Sequence, residues 1–427
     1  MTANVARNPS RIVFVNRYFD PDESASSQML TDLARGLTAR GLTVHIICSR
    51  QLYTDASTRL APSEIRSGVI IHRVATTRYG RARLIGRGVD YASFYFAASL
   101  AMLRILASGD VVIAMTDPPL ISVLAAIVAL VKGAALVNWQ QDVFPEVATR
   151  LGANPLPRWL DSLLRKARDY SLRRAKMNVV ISSRMLEYFK RREFPPVQLC
   201  VIENWADAEL IKPKPAGASA LRTRLGLAGR FVVGYSGNLG RAHEFNTLLE
   251  AADELRLDRS IVFLMIGGGA LMARLRHAAA QRGLDNFIFL PYQAREDLAD
   301  SLAAADVHLI SLLPALEGLI APSKAYGILA AGRPTLFIGD SDGDIARMIG
   351  VAKCGVTVGV NAGAELVAAM RRLQSDPNGC AAMGERAREL FLSRHTLAKA
   401  IEHWVYVLDF RRVRPADGAP PPELSNQ

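Results

Sequence analysis

The stretch EGLIAPSKAYGILAAGRP, residues 317–334, reads as a polar loop followed by small and apolar residues at helical spacing. A serine at a helix start accepts hydrogen bonds from first-turn amides, so Ser323 is predicted to cap this helix. The free amides of that turn can then meet an anion, and Lys324 adds a positive charge there. Gly332 ends the helix before an apolar strand at 335–338. The stretch predicts a phosphate-binding loop, with an ordinary capped helix between two strands as the alternative.

Upstream of this stretch, the second half of the chain twice repeats a strand, a glycine loop and a helix. The first loop is SGNLG at 236–240 and the second is GGG at 267–269. Glycine lets backbone amides approach a phosphate closely, and Arg241 can pair with the phosphate through two hydrogen bonds. One such loop is weak evidence, but two at equivalent strand ends, with Lys324 downstream, predict a phosphate site. The predicted strands form a parallel set at residues 231–235, 261–266, 287–290, 307–311 and 335–338.

The first half opens with a βαβ unit, predicted as a strand at 11–16, a helix at 27–40 and a strand at 44–48. The loop NRYFDPDESASSQ joins the first strand to the helix and contains Ser26 and Ser27. Open α/β sheets bind ligands at the carboxyl ends of their strands, so these serines are candidate ligand contacts. A plain connecting loop is the alternative. The dinucleotide fingerprint GxGxxG is absent here.

A second candidate segment is WQQDVFPE at 139–146, which follows a predicted strand at 134–139. Asp142 and Glu146 are candidate acceptor-binding or general-base groups, because a carboxylate at this strand end would face the ligand crevice. Capping of a helix by Asp142 is the alternative.

Length and composition limit the class of protein. The chain has 427 residues, of which 50% are hydrophobic and 22% are charged, which suits two domains with proper cores. The formal net charge of +12 predicts an anionic partner, either nucleic acid, a phosphorylated ligand or an acidic lipid surface. The four cysteines are far apart, which argues against a zinc site or a disulfide framework. No apolar signal segment precedes the first strand, so we expect an intracellular protein.

Two basic segments predict a membrane-facing surface. Residues 73–87 contain five arginines and no acid and precede an aromatic helix at 91–106. Residues 158–192 contain eleven lysines or arginines against three acids, with interleaved aromatics. Basic groups meet anionic headgroups while aromatic side chains enter the interface. A buried domain helix, a solvated face and nucleic-acid binding are the alternatives. The apolar run 118–131 has 14 residues, too few to span a bilayer.

The fold class predicted from this alternation is α/β, with two Rossmann-like domains. A composition break at KPKPAGASA, residues 212–220, places the domain boundary. The sequence GDSDGD at 339–344 is predicted to be a polar turn, because it lacks the later ligands of a calcium loop. Residues 364–393 are predicted to be helical. The predicted domains and segments are 1–206, 221–394, a terminal helix at 395–412 that crosses back to the first domain, and a disordered tail at 413–427.

Four segments together resemble the GT-B, family 4 retaining glycosyltransferases, especially the bacterial enzymes of exopolysaccharide and O-antigen assembly of the colanic-acid type. They are YFDPDESASSQ, WQQDVFPE, YSGNLGRAHEF and PSKAYGILAAGRP, and the resemblance covers residues 11–410. It implies two Rossmann-like domains facing a cleft and transfer of a hexosyl group from a nucleotide-diphosphate sugar, with retention, to a lipid-linked saccharide. It further implies a peripheral protein on the cytoplasmic face of the plasma membrane, with no cofactor, no metal and no nucleic-acid partner.

The resemblance also assigns roles to residues. It implies catalytic roles for Asp142 and Glu317. It implies acceptor-side positions for Ser26, Ser27 and Glu146. The implied donor contacts are Gly237, Asn238, Arg241, Gly267, Gly268, Pro322, Ser323 and Lys324.

This sequence departs from the family at one motif. The family's Glu-x7-Glu pattern would place its second glutamate at Gly327 and its first at Leu319, with Glu317 close enough to replace the first. The departure motivates an alternative, a non-catalytic membrane-associated partner protein with the same fold.

Overall fold

The computed structural model describes residues 11–53, 55, 58–79, 84–152 and 157–409. The described residues form two compact units. The first unit contains those up to Glu203 together with those from Ala398 onward, and the second is Asn204–Leu397. Each unit is built around a mainly parallel sheet with helices between its strands.

The sheet of the first unit reverses its strand order beside its first strand. In space the order is β3-β4-β2-β1-β5-β6-β7-β8, with every neighbouring pair parallel except β3 with β4. The chain therefore builds outward from β1 on one side and then returns to add β5 on the other. The strands are β1 Ile12–Val15, β2 Val44–Ser49, β3 Ser63–Arg66, β4 Val69–Val74, β5 Val111–Ala114, β6 Ala135–Gln140, β7 Met177–Val180 and β8 Leu199–Val201.

The helices of this unit cover a sheet whose central strands are buried apolar runs, as the sequence pattern predicts for a parallel sheet. The helices are α1 Ala25–Ala39, α2 Leu84–Ile105, α3 Ile121–Lys132, α4 Glu146–Arg150, α5 Arg158–Arg174 and α6 Ser183–Lys190. The strand β3 was not predicted, because SEIR is polar and forms an exposed edge without an apolar run.

The second unit has six parallel strands in the order β11-β10-β9-β12-β13-β14, among the residues that the structure describes. Here the order reverses between β9 and β12. The elements are α7 Ala220–Arg224, β9 Phe231–Asn238, α8 Asn246–Glu254, β10 Ile261–Gly268, α9 Met272–Gln281, β11 Phe287–Leu290, α10 Leu298–Ala303, β12 Val307–Ser311, α11 Lys324–Ala330, β13 Thr335–Ile338, α12 Asp344–Val351, β14 Gly355–Val358, α13 Gly363–Ser375 and α14 Pro377–Arg394. The predicted class of two Rossmann-like α/β units is confirmed.

The helical prediction for 364–393 is confirmed, and the structure divides the stretch into two helices. The stretch contains α13 and α14, which are separated at Asp376. The Asp376 side chain accepts a hydrogen bond from the Gly379 amide and so caps α14, and Pro377 occupies the first helical position. Proline favours that position because its missing amide hydrogen is not needed there.

The last described helix, α15 Leu397–Leu408, packs on the first unit. Its Trp404 ring lies 6.5 Å from the Phe14 ring and 5.0 Å from the Trp139 ring, measured between centroids. A Cβ added to Gly36 in α1 would lie 2.1 Å from Ile401 Cδ1, so α1 and α15 are in close contact. The predicted tail at 413–427 lies outside the described residues. No helix in the described ranges is both long and apolar enough to cross a membrane.

Candidate active site

The Lys324 side chain lies where the strand order of the second unit reverses, near the carboxyl ends of β9 and β12. Its Nζ is 3.1 Å from His243 Nε2 and 3.4 Å from the Asn238 carbonyl oxygen. It also donates to the Tyr235 hydroxyl and lies 4.2 Å from the centre of that ring. The ammonium is thus held by neutral acceptors, with no carboxylate among these contacts.

The hydrogen bonds of His243 fix its tautomer. Its Nδ1 is 2.5 Å from the Ser311 carbonyl oxygen, which can only accept, so Nδ1 carries the hydrogen. The Nε2 lone pair is then left to accept from Lys324. Burial, together with the charge of Lys324, lowers the pKa of His243 to about 3, so the ring is neutral at physiological pH.

Burial also lowers the pKa of Lys324, to about 7. Near neutral pH this amine therefore changes between its charged and neutral forms. A bound anion would favour the charged form, because an opposite charge at close range stabilises an ammonium.

The two glycine loops lie against each other beside Lys324. In the sheet, Gly237 of β9 is paired with Gly267 of β10. Their φ angles are +123° and +125°, a region that side chains rarely allow. A Cβ added to Gly267 would lie 2.2 Å from the Gly237 carbonyl oxygen, and one added to Gly237 would lie 3.8 Å from Lys324 Cε. The structure thus brings together the glycine loops and the lysine that the sequence singles out, with Asn238 paired to Gly268 one step further along.

The predicted cap by Ser323 was wrong. Ser323 has αR backbone angles, and its side chain makes no capping hydrogen bond to α11, which is only seven residues long. Its neighbour Pro322 is buried. The local positive charge therefore comes from Lys324 itself.

Arg241 is exposed and makes no hydrogen bond or ion pair with any described residue, so its guanidinium is available to a ligand.

Glu317 contacts the start of α12. Its Oε2 accepts a hydrogen bond from the Asp344 amide at 3.3 Å, and a Cβ added to Gly343 would lie 2.2 Å from its Oε1. The catalytic role implied for Glu317 stays a prediction.

At Gly327, an added Cβ would lie 3.8 Å from the methyl carbons of Ile211 and Leu302. The position aligned with the family's second glutamate therefore lies against apolar side chains.

In the first unit, Asp142 follows β6 at its carboxyl end. Its carboxylate accepts a hydrogen bond from the Thr116 side chain, while its Oδ1 is buried and has no hydrogen-bond partner among the described residues. The pKa of Asp142 is raised to about 6, chiefly by burial; the hydrogen bond from Thr116 opposes the rise and the charge of Asp117 adds to it. Asp142 is not the cap of α4, whose first flanking residue is Pro145. A carboxyl with this pKa can accept and return a proton near neutral pH.

Glu146 is already engaged by the protein. Its side chain is 6% exposed and accepts from Arg168 Nη1 at 2.5 Å, from Arg165 and from the Tyr188 hydroxyl. These partners stand 19 to 42 residues later in the chain, so no local pattern around Glu146 signals them. Of the two predicted serines, Ser26 is partly exposed, whereas Ser27 is buried and its Oγ has no hydrogen-bond partner in the described ranges.

Two further residues at these strand ends were not singled out from the sequence. Tyr235 accepts from Lys324, and Arg17 is buried just after β1. Both immediately end or follow an apolar strand, which is the signal that could have identified them.

Comparison with known proteins identifies the family. A model of the "Glycosyl transferase 4-like domain" matches residues 25–205, and a model of "Glycosyl transferases group 1" matches residues 220–390. The chain is 30% identical over 275 residues to the "Probable glycosyltransferase WbjE" of Pseudomonas aeruginosa, and the match covers 64% of this chain and 68% of that protein. This chain is a family 4 glycosyltransferase.

The glycosyltransferase is also 33% identical over 157 residues to the "Putative colanic acid biosynthesis glycosyl transferase WcaI" of Escherichia coli strain K12, covering 35% of this chain and 38% of that protein. Among solved structures, it resembles Anabaena HepE in complex with UDP-glucose, with a TM-score of 0.70 and 17% identity over 94% of this chain and 99% of that one. The predicted GT-B fold and the predicted enzyme class are confirmed. The roles of individual site residues stay predictions.

Proposed function

We propose that this glycosyltransferase moves a sugar from a nucleotide-diphosphate sugar to a lipid-linked saccharide in the synthesis of a bacterial cell-surface polysaccharide. The observation that carries the proposal is the position of Lys324 beside two glycine loops whose backbones are in close contact. When the bond between the sugar and the diphosphate breaks, negative charge develops on the departing diphosphate. A fixed ammonium and backbone amides stabilise that charge, and Arg241 adds a second cation that no described residue neutralises.

In the proposed reaction, the anomeric carbon loses its bond to the diphosphate oxygen and gains a bond to an acceptor hydroxyl on the same face. The proton of that hydroxyl passes to the Asp142 carboxylate as the new bond forms. Asp142 is the proposed group on the acceptor side, because its raised pKa keeps it a competent base near neutral pH. Retention of configuration and the absence of a metal or cofactor come from the family resemblance.

The relatives support both the donor class and the pathway class. HepE was solved with UDP-glucose, and WcaI is named for colanic acid biosynthesis. The proposed donor is accordingly a nucleoside diphosphate sugar and the proposed product an extended surface saccharide.

Exposed apolar stripes on the first unit support a peripheral membrane position. Helix α3 packs against both α2 and α5, and each of the three helices carries exposed apolar side chains at helical spacing. Phe96, Val131 and Trp159 are each 69% exposed. The other members are Ile85, Val89, Leu100 and Leu103 on α2, Ile127 and Leu130 on α3, and Leu163 and Tyr170 on α5. We call this set the apolar face.

Exposed basic residues accompany the apolar face. Arg104 stands near the end of α2, and Arg158 and Lys166 stand on α5. This combination suits the surface of an anionic membrane, where aromatics enter the interface and cations meet headgroups. Arg73, predicted to belong to the basic loop, does not: it lies in β4, is buried and pairs with Glu64 at 2.6 Å. Part of that loop, residues 80–83, lies outside the described residues.

A nucleotide screen tests the donor site. We expect the melting temperature to rise with one nucleoside diphosphate among UDP, GDP, ADP and dTDP, and with its sugar, because these bind the native state. Lys324→Met should lose that rise. The matched control is Arg259→Ala, which removes an exposed charge just before β10, at the opposite end of the strand from the glycine loop.

Turnover with a lipid-linked saccharide and the selected donor tests the reaction itself. Transfer with retained anomeric configuration, lost in Lys324→Met and kept in Arg259→Ala, is the expected result. Nucleotide binding that is unchanged by Lys324→Met would contradict the assigned donor site. A chain that binds donors and transfers to no acceptor would support the non-catalytic alternative.

A further inference from the structure

Arg17 is a buried cation at the point where the strand order of the first unit reverses. It follows β1 by two residues, and only 4% of its surface is exposed. Its backbone amide donates to the Asp117 carbonyl oxygen at 2.7 Å, and its own carbonyl accepts from the Ser49 amide at 2.8 Å. These bonds join the ends of β1, β5 and β2. The backbone of Arg17 is therefore fixed at the carboxyl edge of the sheet.

The Arg17 guanidinium lies between two aromatic rings. Its central carbon is 5.3 Å from the centre of the Tyr18 ring and 5.1 Å from that of Tyr91. Ring faces attract a cation, so the tyrosines hold the guanidinium in place. Within the part of the chain that the structure describes, the guanidinium nitrogens donate no hydrogen bond to these rings or to any other group.

The other buried arginines that the structure describes are paired with acids. Arg73 contacts Glu64, and Arg168 contacts Glu146 and Asp169. Arg17, by contrast, forms no hydrogen bond or ion pair through its side chain with any described residue, and its Nε is buried without an acceptor. The charges of Asp117 and Arg17 both act on Tyr91 and Tyr95, so a carboxylate is near, but it makes no ion pair with Arg17. Burial of a cation without a directly bonded acid is costly, so this arrangement suits an anion that arrives from outside the chain.

The surroundings of Arg17 agree with a ligand site. Open α/β sheets bind ligands at the carboxyl edge where the strand order reverses, which here is between β1 and β5. The same edge carries Asp142 after β6. Ser27 lies in the first turn of α1, and its buried Oγ has no hydrogen-bond partner among the residues described. The equivalent reversal in the second unit, between β9 and β12, is where Lys324 lies.

We infer that Arg17 binds a phosphate group of the acceptor substrate, so that the acceptor is recognised by its phosphate as well as by its sugar. The planar guanidinium presents paired donors that match phosphate oxygens. A lipid-linked saccharide that carries its sugar on a phosphate or diphosphate supplies such a group next to the reacting sugar. This inference rests on the proposed function and specifies its acceptor.

The first test measures anion binding without turnover. Pyrophosphate is titrated into the full chain carrying Lys324→Met, which removes the donor-side cation, and the melting temperature and calorimetric affinity are recorded. We expect binding that becomes at least about tenfold weaker when Arg17→Met is added and is partly retained with Arg17→Lys. Arg174→Met is the matched control, because Arg174 is exposed at the end of α5, just before β7 and thus at the opposite edge of the sheet.

The stability of the ligand-free variant separates binding from a structural role. If Arg17 awaits a ligand, Arg17→Met should melt at the same or a higher temperature, because it removes an unpaired buried charge. A clearly lower melting temperature together with unchanged pyrophosphate affinity would overturn the inference. So would pyrophosphate binding that does not depend on Arg17, or no binding at all.

The second test uses two acceptors that share one saccharide. One is linked through a diphosphate to a short prenyl chain and the other through a neutral ether. We expect kcat/KM to favour the diphosphate by about tenfold or more, and Arg17→Met to remove that preference without changing the KM for the donor. An equal preference in Arg17→Met would overturn the inference while leaving the proposed donor site intact.

Membrane phospholipids also carry phosphate, and a third arm distinguishes them. Short-chain dihexanoylphosphatidylglycerol replaces pyrophosphate in the first test. Arg17-dependent binding of this lipid, without Arg17-dependent selection of the diphosphate acceptor, would assign the site to headgroups and overturn the acceptor assignment. Failure of nucleotide binding in the wild-type chain would instead contradict the proposed function.

Discussion

The ammonium of Lys324 is held by a hydroxyl, an imidazole nitrogen and a carbonyl, none of which carries a negative charge. This explains why burial can lower its pKa to about 7 without compensation. A diphosphate would supply the missing charge and raise the pKa again. Binding of the donor should therefore be linked to protonation of this one residue.

That linkage predicts proton uptake when the nucleotide binds at pH 8. About nine-tenths of free Lys324 is neutral there, so up to about one proton should be taken up, whereas at pH 6 uptake through this residue should be close to zero. Calorimetry in buffers of different ionisation enthalpy measures the uptake. Lys324→Arg, which stays charged at both pH values, is the control. Equal uptake by wild type and Lys324→Arg at pH 8 would contradict the prediction.

The pKa of Asp142 predicts how the rate depends on acidity. If Asp142 acts as a base, kcat/KM should fall about tenfold per pH unit below pH 6, because only its ionised form accepts a proton. Asp142→Asn should lower the rate by about 10² to 10⁴ and abolish that acidic limb. The pH profile is measured at saturating donor so that Lys324 does not contribute. An acidic limb that persists in Asp142→Asn would assign it to another group.

At the scale of the elements, the contact between the ends of β9 and β10 depends on glycine. Gly267→Ala should destabilise the chain by about 2 to 4 kcal/mol, because its φ is +125° and the new Cβ would meet the Gly237 carbonyl at 2.2 Å. Urea denaturation measures the free energy of unfolding of the variant, and a separate nucleotide titration of the folded variant measures its binding.

The matched control is Gly350→Ala in α12. No atom lies within 4 Å of a Cβ added there, so it should stabilise the chain by about 0.5 to 1 kcal/mol. Equal free energies of unfolding in urea for the two variants would show that the glycine contact between β9 and β10 is dispensable.

The strands were the most predictable elements, because buried parallel strands are continuous apolar runs. The prediction of 307–311 matches β12, and that of 335–338 matches β13. Short or polar strands such as β3 carry no such run. The helical character of 364–393 was predicted correctly, but its division at Asp376 was not specified, because the cap and Pro377 are what mark the boundary.

The glycine loops and Lys324 could be predicted from the sequence, but their physical arrangement could not. Glycines at strand ends are a local signal, and the structure places both loops beside the lysine. Ser323 does not cap α11, and the Lys324 ammonium is instead held by Tyr235 and His243, which stand more than 80 residues earlier. The pairing of Glu146 with arginines was hidden for the same reason. Contacts between distant segments leave no periodic trace in a single sequence.

At the scale of the whole molecule, both sheets reverse direction beside their first strand and both place a cation at that reversal. In the first unit this is Arg17 and in the second it is Lys324. The repeated topology gives each unit its own ligand edge. Two substrates that both carry phosphate, a donor and an acceptor, would suit this duplication and the net charge of +12.

The apolar face predicts binding to anionic vesicles. We expect the chain to float with vesicles containing phosphatidylglycerol, less with neutral ones, and less again as salt rises, because part of the attraction is screened. Trp159→Asp combined with Val131→Asp should reduce the bound fraction about tenfold. Leu257→Asp is the control, since Leu257 is 90% exposed but lies in the second unit. Equal loss in the control, or no loss in the double variant, would place the membrane contact elsewhere.

The position of α15 has a consequence for the order in which the protein is made. Trp404 completes the aromatic cluster around Phe14 and Trp139, yet it is synthesised after the whole second unit. At about 5 to 20 residues per second, the ribosome needs roughly 10 to 40 s to produce the segment Asn204–Leu397. Throughout that interval the nascent first unit exposes the apolar surface around Phe14 and Trp139 that Trp404 later covers. The newborn chain is then a natural client for chaperones, and the second unit is the first that can finish folding.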